Sequence, residues 1–317
     1  MKVFITRELP KIAFRLLKKN RIPFDYYKKD QPIPRELLLK KVKNCEALIS
    51  LLTEKIDKEV IDQMPKCKII ANYAVGYNNI DIDYAKKKKI IVTNTPDVLT
   101  ESTADLTMAL VLACARRLSE GEKLIRRGKF KGWKPKLLLG MELKDKIFGI
   151  LGAGRIGSAV AKRASSFGTN IIYVDNDRNR KLEKESGAKK VSLKYLLQNS
   201  DILSVHLPLN VRTYHYLNQE RLNQLKRNSI LINTTRGEII DEKALIWLLK
   251  RNRLMAVGLD VFENEPDLNP GLLSFSNVIV IPHLGSATHE ARDEMAELAV
   301  KNVIIILKGK PALSPVF

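Results

Sequence analysis

Short apolar runs alternate with amphipathic stretches along the whole chain. The short runs, ended by polar or glycine residues, predict strands, and apolar residues three or four positions apart predict helices. Strands alternating with helices indicate an α/β architecture with parallel sheets. The predicted strands lie near Lys2–Ile5, Ala47–Leu51, Ile69–Ala71, Ile90–Thr93, Ile147–Leu151, Ile171–Val174, Ile202–His206, Ser229–Asn233, Ala256–Asp260 and Val278–Ile281.

Two long helical patterns divide these elements into two series. One pattern begins near Ser102 and the other covers about residues 287–308, with the second series between them from Lys146 onward. A chain of 317 residues is also longer than a usual single domain. The arrangement suggests a nucleotide-binding domain inserted into another domain.

The composition excludes several classes of protein. A hydrophobic content of 45% is ordinary for a globular chain. No apolar run approaches the roughly 20 residues of a membrane-spanning helix. The first apolar run is only three residues long, Val3-Phe4-Ile5, and Thr6 and Arg7 follow it, so no signal peptide is expected. The expectation is a cytoplasmic protein with no membrane partner.

Cysteine spacing and charge predict neither a metal site nor a nucleic-acid partner. Cys45, Cys67 and Cys114 are far apart and form no C-x-x-C motif, so neither disulfides nor a zinc site is expected. The 55 Lys and Arg against 35 Asp and Glu give a formal net charge of +20. Basic proteins often bind nucleic acid, but here the lysines are scattered and few aromatic residues lie among them.

A glycine-rich turn predicts a dinucleotide site. The segment Gly152-Ala153-Gly154-Arg155-Ile156-Gly157 fits G-x-G-x-x-G, follows an apolar strand and opens a helix. The first glycine permits a tight turn, the second lets the backbone approach a pyrophosphate, and the third allows close packing of helix on sheet. The helix N-terminus would face the anion.

An acidic residue after the next strand favours NAD. Asp175 lies near the expected offset of about 20 residues, where a carboxylate accepts hydrogen bonds from the ribose hydroxyls and repels a 2′-phosphate. Arg178 and Arg180 follow closely, and arginine also pairs with phosphate. NADP therefore remains possible. His206 ends a later strand, where an adenine pocket could form.

Three further segments contain a possible catalytic set: Thr234–Gly237, Asn264–Pro266 and Pro282–Thr288. His283 is the candidate acid–base group because imidazole titrates near neutral pH. Glu265 would orient His283 and favour its charged form. Arg236 offers a charged fork for a carboxylate or carbonyl oxygen. Taken singly, each segment could be only a turn or loop.

In this order, the three segments resemble the Arg, Glu and His signatures of the D-isomer-specific 2-hydroxyacid dehydrogenases. The segments Asn72–Asp81 and Asn94–Thr100 look most like the glyoxylate and hydroxypyruvate reductase branch. The resemblance implies two Rossmann-like or flavodoxin-like domains with doubly wound parallel sheets. Residues 1–98 with 286–317 would form the substrate domain, and residues 99–285 the inserted cofactor domain. The family also implies a homodimer.

The resemblance implies an enzyme that reduces a small 2-keto acid with NAD(P)H, with glyoxylate or hydroxypyruvate favoured. Arg236, Glu265 and His283 would be catalytic. Substrate contacts would come from Leu51, Val75 and Gly76, together with Arg236 and His283. Further cofactor contacts are expected at Thr103, Asn176, Asp177, Pro208, Thr234, Thr235, Arg236, Asp260, His283 and Gly285.

Some alternatives stay open. Trp133 resembles a tryptophan that enters the partner subunit's pocket, although core or dimer packing would explain it equally well, and Thr103 could be only a helix-start hydroxyl. D-3-phosphoglycerate or D-lactate dehydrogenase activity is an alternative function. A non-enzymatic, NAD-sensing relative of the C-terminal-binding-protein corepressors is another.

Overall fold

The computed structural model describes residues 2–317. The strands are β1 (Val3–Ile5), β2 (Phe24–Tyr26), β3 (Ala47–Ser50), β4 (Ile69–Asn72), β5 (Ile91–Thr93), β6 (Ile147–Leu151), β7 (Asn170–Val174), β8 (Lys189–Lys190), β9 (Ile202–Val205), β10 (Ser229–Asn233), β11 (Leu254–Leu259) and β12 (Val278–Val280). The helices are α1 (Lys11–Lys19), α2 (Arg35–Val42), α3 (Lys58–Asp62), α4 (Ile82–Lys87), α5 (Thr100–Ala115), α6 (Leu118–Arg126), α7 (Arg155–Ser165), α8 (Arg180–Ser186), α9 (Leu193–Asn199), α10 (Gln219–Asn223), α11 (Glu242–Lys250), α12 (Pro270–Leu273) and α13 (His289–Leu307).

The chain divides into two compact units. The first contains the residues up to Leu99 together with Ala287–Phe317, and the second is Thr100–Ser286. Each unit has its own parallel sheet, so the predicted α/β class with two parallel sheets is confirmed.

The first unit has the strand order β2-β1-β3-β4-β5, with every pair parallel. This is the flavodoxin-like order of doubly wound folds. The central strands β3 and β4 are buried along their whole length, as expected for parallel strands covered on both faces. Helix α13 returns from the end of the chain to pack against β3, β4 and α1.

The second unit has the order β12-β11-β10-β9-β6-β7-β8, again entirely parallel. The order reverses between β6 and β9, which pair directly from Phe148 opposite Ile202 to Leu151 opposite Val205. In doubly wound sheets, ligands bind at the carboxyl ends of the strands beside such a switch point. The topology therefore places the binding edge of this unit after Leu151 and Val205.

Alternating side chains build two cores on the two faces of the second sheet. In β10, Ile230 and Ile232 join the cluster that contains α5 and α7. Leu231, between them, joins the opposite cluster with α9, α10 and α11. Successive strand residues point to opposite faces, so each strand contributes to both layers.

Two short strands were not predicted, and several predicted strand ends are one residue too long. The edge strand β2 is a Phe-Asp-Tyr segment, and the edge strand β8 consists of two exposed lysines. Both are edge strands without an apolar run, so the hydrophobic pattern of the sequence does not indicate them. Strands β9, β11 and β12 end at Val205, Leu259 and Val280. His206 and Asp260 therefore lie just beyond their strands.

All three cysteines are buried free thiols. Over the described residues, no helix has both the length and the apolar character required to cross a bilayer.

Candidate active site and cofactor site

The three glycines after β6 have three different surroundings. Gly152 has a φ of +99°, and a Cβ there would lie 2.7 Å from the carbonyl oxygen of His206. A Cβ on Gly157 would lie 2.0 Å from the carbonyl oxygen of Gly152. A Cβ on Gly154 would meet no heavy atom within 4 Å in the described chain, apart from its own neighbours. The loop thus leaves open space at the N-terminus of α7, where a pyrophosphate would fit.

The residues around this loop hold it in place. Arg155 is exposed at the first position of α7, and Ile156 packs against the core. Asp175, after β7, accepts hydrogen bonds from Ala153 N at 2.7 Å and from Asn176 N at 2.7 Å. A carboxylate has about four acceptor positions, so these bonds leave capacity for ribose hydroxyls.

The segment that follows Asp175 also contains a residue that the sequence reading missed. Asn176 and Asp177 are exposed, and Arg178 Nε pairs with Glu183 at 2.8 Å. Asn179 donates to the carbonyl of Ala153 at 2.8 Å and accepts from Leu182 N, so it both caps α8 and anchors the glycine loop. The sequence contains one signal for this role, an asparagine immediately before a helix, because asparagine is a preferred N-cap residue.

His206 lies across the switch point from the glycine loop. Its Nε2 is 2.8 Å from the hydroxyl of Ser204, and its buried Nδ1 has no hydrogen-bond partner within residues 2–317. Burial lowers the pKa of His206 to about 3, so the ring is neutral at physiological pH. Pro208 follows, and its carbonyl accepts from the Thr213 hydroxyl at 2.5 Å. The unpartnered Nδ1 is a polar group that a bound ligand could satisfy.

Arg236 lies on the turn after β10. Asn233 holds this turn, because its side chain donates to the carbonyl of Arg236 at 2.8 Å and accepts from both the amide and the hydroxyl of Thr235. The Thr234 hydroxyl lies 2.9 Å from that of Thr107 on α5. Asn233 is a further residue that the motif search missed. Its only signal in the sequence is its position at the end of a buried strand, where functional side chains of parallel sheets often lie.

The Arg236 guanidinium is half-buried, and its Nη1 donates to the carbonyl of Thr235 at 2.7 Å. Burial lowers its pKa below the ordinary value, while the carboxylates of Glu265 and Glu238 raise it. Arginine remains charged under such a shift because its ordinary pKa exceeds 12. The site therefore contains a permanent cation near Glu265.

His283 and Glu265 form a direct pair. Nδ1 of His283 is 2.9 Å from Oε2 of Glu265, and both side chains are 27% exposed. The other oxygen of Glu265 accepts from Phe262 N at 3.2 Å. A carboxylate on Nδ1 favours a proton there and leaves Nε2 as the reactive position of the ring.

Asp260 supports the loop that carries His283. Its carboxylate accepts from Leu284 N at 2.5 Å and Gly285 N at 2.8 Å, and its carbonyl accepts from His283 N at 2.9 Å. Burial raises the pKa of Asp260, against the opposing effect of these amides and of His283. Thr103 donates to the carbonyl of Gly285 at 3.1 Å. In this structure, Asp260 and Thr103 thus fix the His283 loop, and their predicted cofactor contacts remain predictions.

The predicted substrate loop belongs to the first unit. The carbonyl of Val75 accepts from Asn94 at 2.8 Å, and that of Gly76 accepts from Asn72 at 2.8 Å. Since a trans peptide places its N–H opposite its carbonyl, the amides of Gly76 and Tyr77 point away from these asparagines. This orientation suits an anion-binding loop.

Leu51 is fixed on the neighbouring loop. Its amide donates to Glu54 at 2.9 Å, and its carbonyl accepts from Asn79 at 3.0 Å. Asn79 also exchanges hydrogen bonds with Asn72. The loops after β3 and β4 are therefore held together by asparagine side chains that the sequence reading had not assigned.

One further group of potential ligands lies in the second unit. Among the described residues, His215, Asp241 and Glu263 offer ligand atoms that all lie within 4.8 Å of one another. These side chains already have protein partners: His215 Nε2 is 2.7 Å from Glu263, and Asp241 accepts from Ala244 N. The expectation that the protein contains no metal site stays a prediction.

Comparison with known proteins identifies the family. Residues 108–285 match the model of the D-isomer specific 2-hydroxyacid dehydrogenase NAD binding domain. A glyoxylate reductase of Thermococcus litoralis is 49% identical over 313 residues, which is 98% of this chain and 94% of that one. A solved structure of a Thermus thermophilus protein has a TM-score of 0.94 and 41% identity, and all of both chains is covered.

A third similarity is to an NADPH-dependent glyoxylate/hydroxypyruvate reductase of Sinorhizobium meliloti, solved with NADP and malonate. Its TM-score is 0.86 and its identity 31%, with 99% of this chain and 96% of that one covered. The chain belongs to the D-isomer-specific 2-hydroxyacid dehydrogenase family. It is an NAD(P)-dependent oxidoreductase, and the family resemblance drawn from the sequence motifs is confirmed.

Proposed function

We propose that the protein reduces glyoxylate or hydroxypyruvate to the D-2-hydroxy acid. The observation that carries the proposal is the 2.9 Å pair of His283 and Glu265 on the same unit as the half-buried cation of Arg236. Reduction of a keto acid requires one group to protonate the carbonyl oxygen and one cation to hold the carboxylate. The similarity to glyoxylate reductases supports this choice of substrate.

In the proposed mechanism, each residue has one task. A bound nicotinamide would supply the hydride that the keto carbon accepts. His283 Nε2 donates the proton to the carbonyl oxygen, and Glu265 stabilises the imidazolium from which that proton comes. Arg236 binds the substrate carboxylate through its guanidinium.

The second unit, Thr100–Ser286, is the proposed cofactor domain, and the first is the proposed substrate domain. The open space at Gly154 fits the cofactor pyrophosphate, and the unpartnered Nδ1 of His206 fits a polar group of the adenosine half. NADH is the proposed preferred cofactor. Asp175 lies beside the glycine loop, where its charge would repel a 2′-phosphate. Arg178 is already paired with Glu183 and is therefore less available to bind a 2′-phosphate.

The proposed assembly is a homodimer in the cytoplasm. Large apolar side chains are exposed along α6 and the segment after it, and an exposed patch of this kind marks a protein interface. This arm patch consists of Leu118, Ile125, Phe130, Trp133, Leu137 and Leu139. The free cysteines suit a reducing compartment.

The test is the loss of reduced-nicotinamide absorbance with glyoxylate, hydroxypyruvate, pyruvate and phosphohydroxypyruvate, each with NADH and then NADPH. Fastest turnover of glyoxylate or hydroxypyruvate supports the proposal. Preference for phosphohydroxypyruvate or pyruvate would assign a phosphoglycerate or lactate dehydrogenase activity instead. Tight NADH binding without turnover of any of the four acids would favour a corepressor-like sensor.

A further inference from the structure

His215 contacts the turn that follows Arg236. Its backbone amide donates to the carbonyl of Glu238 at 2.7 Å, and Leu217 N donates to Ile239 O at 2.9 Å. The segment before α10 thus runs alongside the turn Gly237–Ile239. His215 itself has a φ of +46°, a left-handed conformation that is uncommon for residues other than glycine.

The imidazole of His215 reaches a second loop. Its Nε2 lies 2.7 Å from Oε1 of Glu263, two residues before Glu265. Glu263 is fixed in turn by Glu242, because the amide of each residue donates to the carboxylate of the other, at 2.6 and 3.2 Å. His215 therefore bonds through its backbone to the Arg236 turn and through its side chain to the Glu265 loop.

These two loops are in direct contact. A Cβ on Gly237 would lie 2.0 Å from the backbone carbon of Phe262 and 2.4 Å from Glu263 N, so only glycine leaves room for this packing. Phe262 N in turn donates to Oε1 of Glu265, whose other oxygen binds His283. A continuous path of contacts connects the His215 ring to the His283 ring.

We propose that His215 is a positioning residue for the reaction. By joining the Arg236 turn to the Glu265 loop, it holds the Glu265 carboxylate at hydrogen-bonding distance from His283 Nδ1. This inference rests on the proposed roles of Glu265 and His283. Small displacements of a catalytic group slow a reaction far more than they weaken ligand binding elsewhere.

The test compares two variants that differ by one methylene group. His215→Asn tolerates the left-handed backbone, since asparagine often adopts it, but its side chain is too short to reach Glu263. His215→Gln restores the reach of an N–H donor. His289→Ala changes an exposed histidine on α13 and is the matched control. Each variant is measured for keto-acid kcat and KM, for the NADH dissociation constant, and for the ¹H NMR signal of the His283 Nδ1 proton, assigned by its loss in His283→Ala.

We expect His215→Asn to lower kcat about tenfold or more while NADH binding stays within about twofold, and His215→Gln to recover most of the loss. The Nδ1 proton signal should broaden in His215→Asn only. Unchanged kcat and an unchanged signal in His215→Asn would overturn the proposal. The proposal would also be overturned if His215→Asn weakened NADH binding by the same factor as it lowered kcat and His215→Gln restored neither. The residue would then serve only the fold. The NMR signal does not depend on turnover, so it tests the positioning role even if the proposed substrate is wrong.

Discussion

Five of the proposed functional residues of the second unit share one position, within three residues of the end of a parallel strand. Asp175 follows β7, His206 follows β9, Arg236 follows β10, Asp260 follows β11 and His283 follows β12. At these ends the backbone leaves the sheet, and side chains are free to serve a ligand rather than the core. Burial is still substantial there, which explains the shifted pKa values of His206, Arg236 and Asp260.

His206 should make stability fall in acid. Its pKa is about 3 in the folded chain because burial disfavours the charged ring, against an ordinary value of 6.5. Between those values the unfolded chain binds a proton that the folded chain does not, so the free energy of unfolding decreases as the pH falls, by up to about 1.4 kcal/mol per pH unit. Above pH 6.5 this contribution is constant.

Urea unfolding of the wild type and His206→Gln at pH of about 7 and about 4.5 measures this contribution. Glutamine can still bond the Ser204 hydroxyl but does not titrate. The variant should lose less stability than the wild type between the two pH values. Equal losses in the two proteins would contradict the assignment of a neutral, buried His206.

Asp175 should determine cofactor preference through its charge. Asp175→Asn keeps an oxygen that can accept from Ala153 N, so the glycine loop should stay in place. Loss of the negative charge removes the repulsion of a 2′-phosphate. The ratio of kcat/KM for NADPH to that for NADH should therefore rise about tenfold or more. Glu185→Gln, which removes an exposed negative charge on α8, is the control, and the prediction fails if both variants change the ratio equally.

At the scale of elements, two glycines of the loop after β6 have different predicted roles. Gly154 leaves room for the cofactor, and Gly157 allows α7 to pack against the loop. Gly154 has ordinary backbone angles and open space at its Cβ position, whereas a Cβ on Gly157 would meet the carbonyl oxygen of Gly152 at 2.0 Å. Gly154→Ala should keep the thermal midpoint within about 2 °C and weaken NADH binding about tenfold or more, since the methyl group occupies the pyrophosphate space.

Gly157→Ala should instead lower the thermal midpoint, by several degrees, because α7 must move away from the loop. Differential scanning calorimetry and NADH titration of the two variants provide the comparison. A Gly154→Ala protein that binds NADH as tightly as the wild type would show that the cofactor does not approach this glycine.

The inner strands of the two sheets and the motif residues could be predicted from the sequence because each depends on a local signal. The apolar runs of β6 and β10 and the G-x-G-x-x-G turn can be recognised in the sequence without knowledge of the fold. Strand β8, two exposed lysines, is a strand only because β7 lies beside it. Its existence depends on tertiary pairing, which no window of sequence contains.

The supporting residues of the site were unpredictable for a similar reason. Asn72 and Asn79 hydrogen-bond to each other and to two loops, and Asn233 holds the Arg236 turn. Each is an ordinary strand-end or loop residue in the sequence. Their roles appear only when the carboxyl ends of neighbouring strands are brought together, so the sequence indicates the chemistry but not the network that positions it.

At the scale of the whole molecule, the arm patch predicts association. Trp133 is 83% exposed and Leu139 is 64% exposed in the single chain. Light scattering coupled to size-exclusion chromatography should give twice the chain mass of 36.0 kDa for the wild type. Replacing Trp133 and Leu139 by Asp should shift the population towards single chains, because burying two uncompensated charges opposes dimer formation.

The matched control is Val211→Asp, a change at an apolar residue that is 97% exposed and lies outside the arm patch. That variant should keep the mass of the wild type. A wild type that elutes with the mass of one chain would contradict the homodimer. If all three proteins have the same dimeric mass, the interface lies elsewhere.

The most direct test of the catalytic assignment is single-turnover reduction of glyoxylate by NADH already bound to the protein. His283→Ala should lower the rate about 10² to 10⁴-fold when NADH is saturating, because the proton donor is lost. His289→Ala should react like the wild type. A His283→Ala protein that reduces glyoxylate at the wild-type rate would contradict the assignment of His283 as the proton donor.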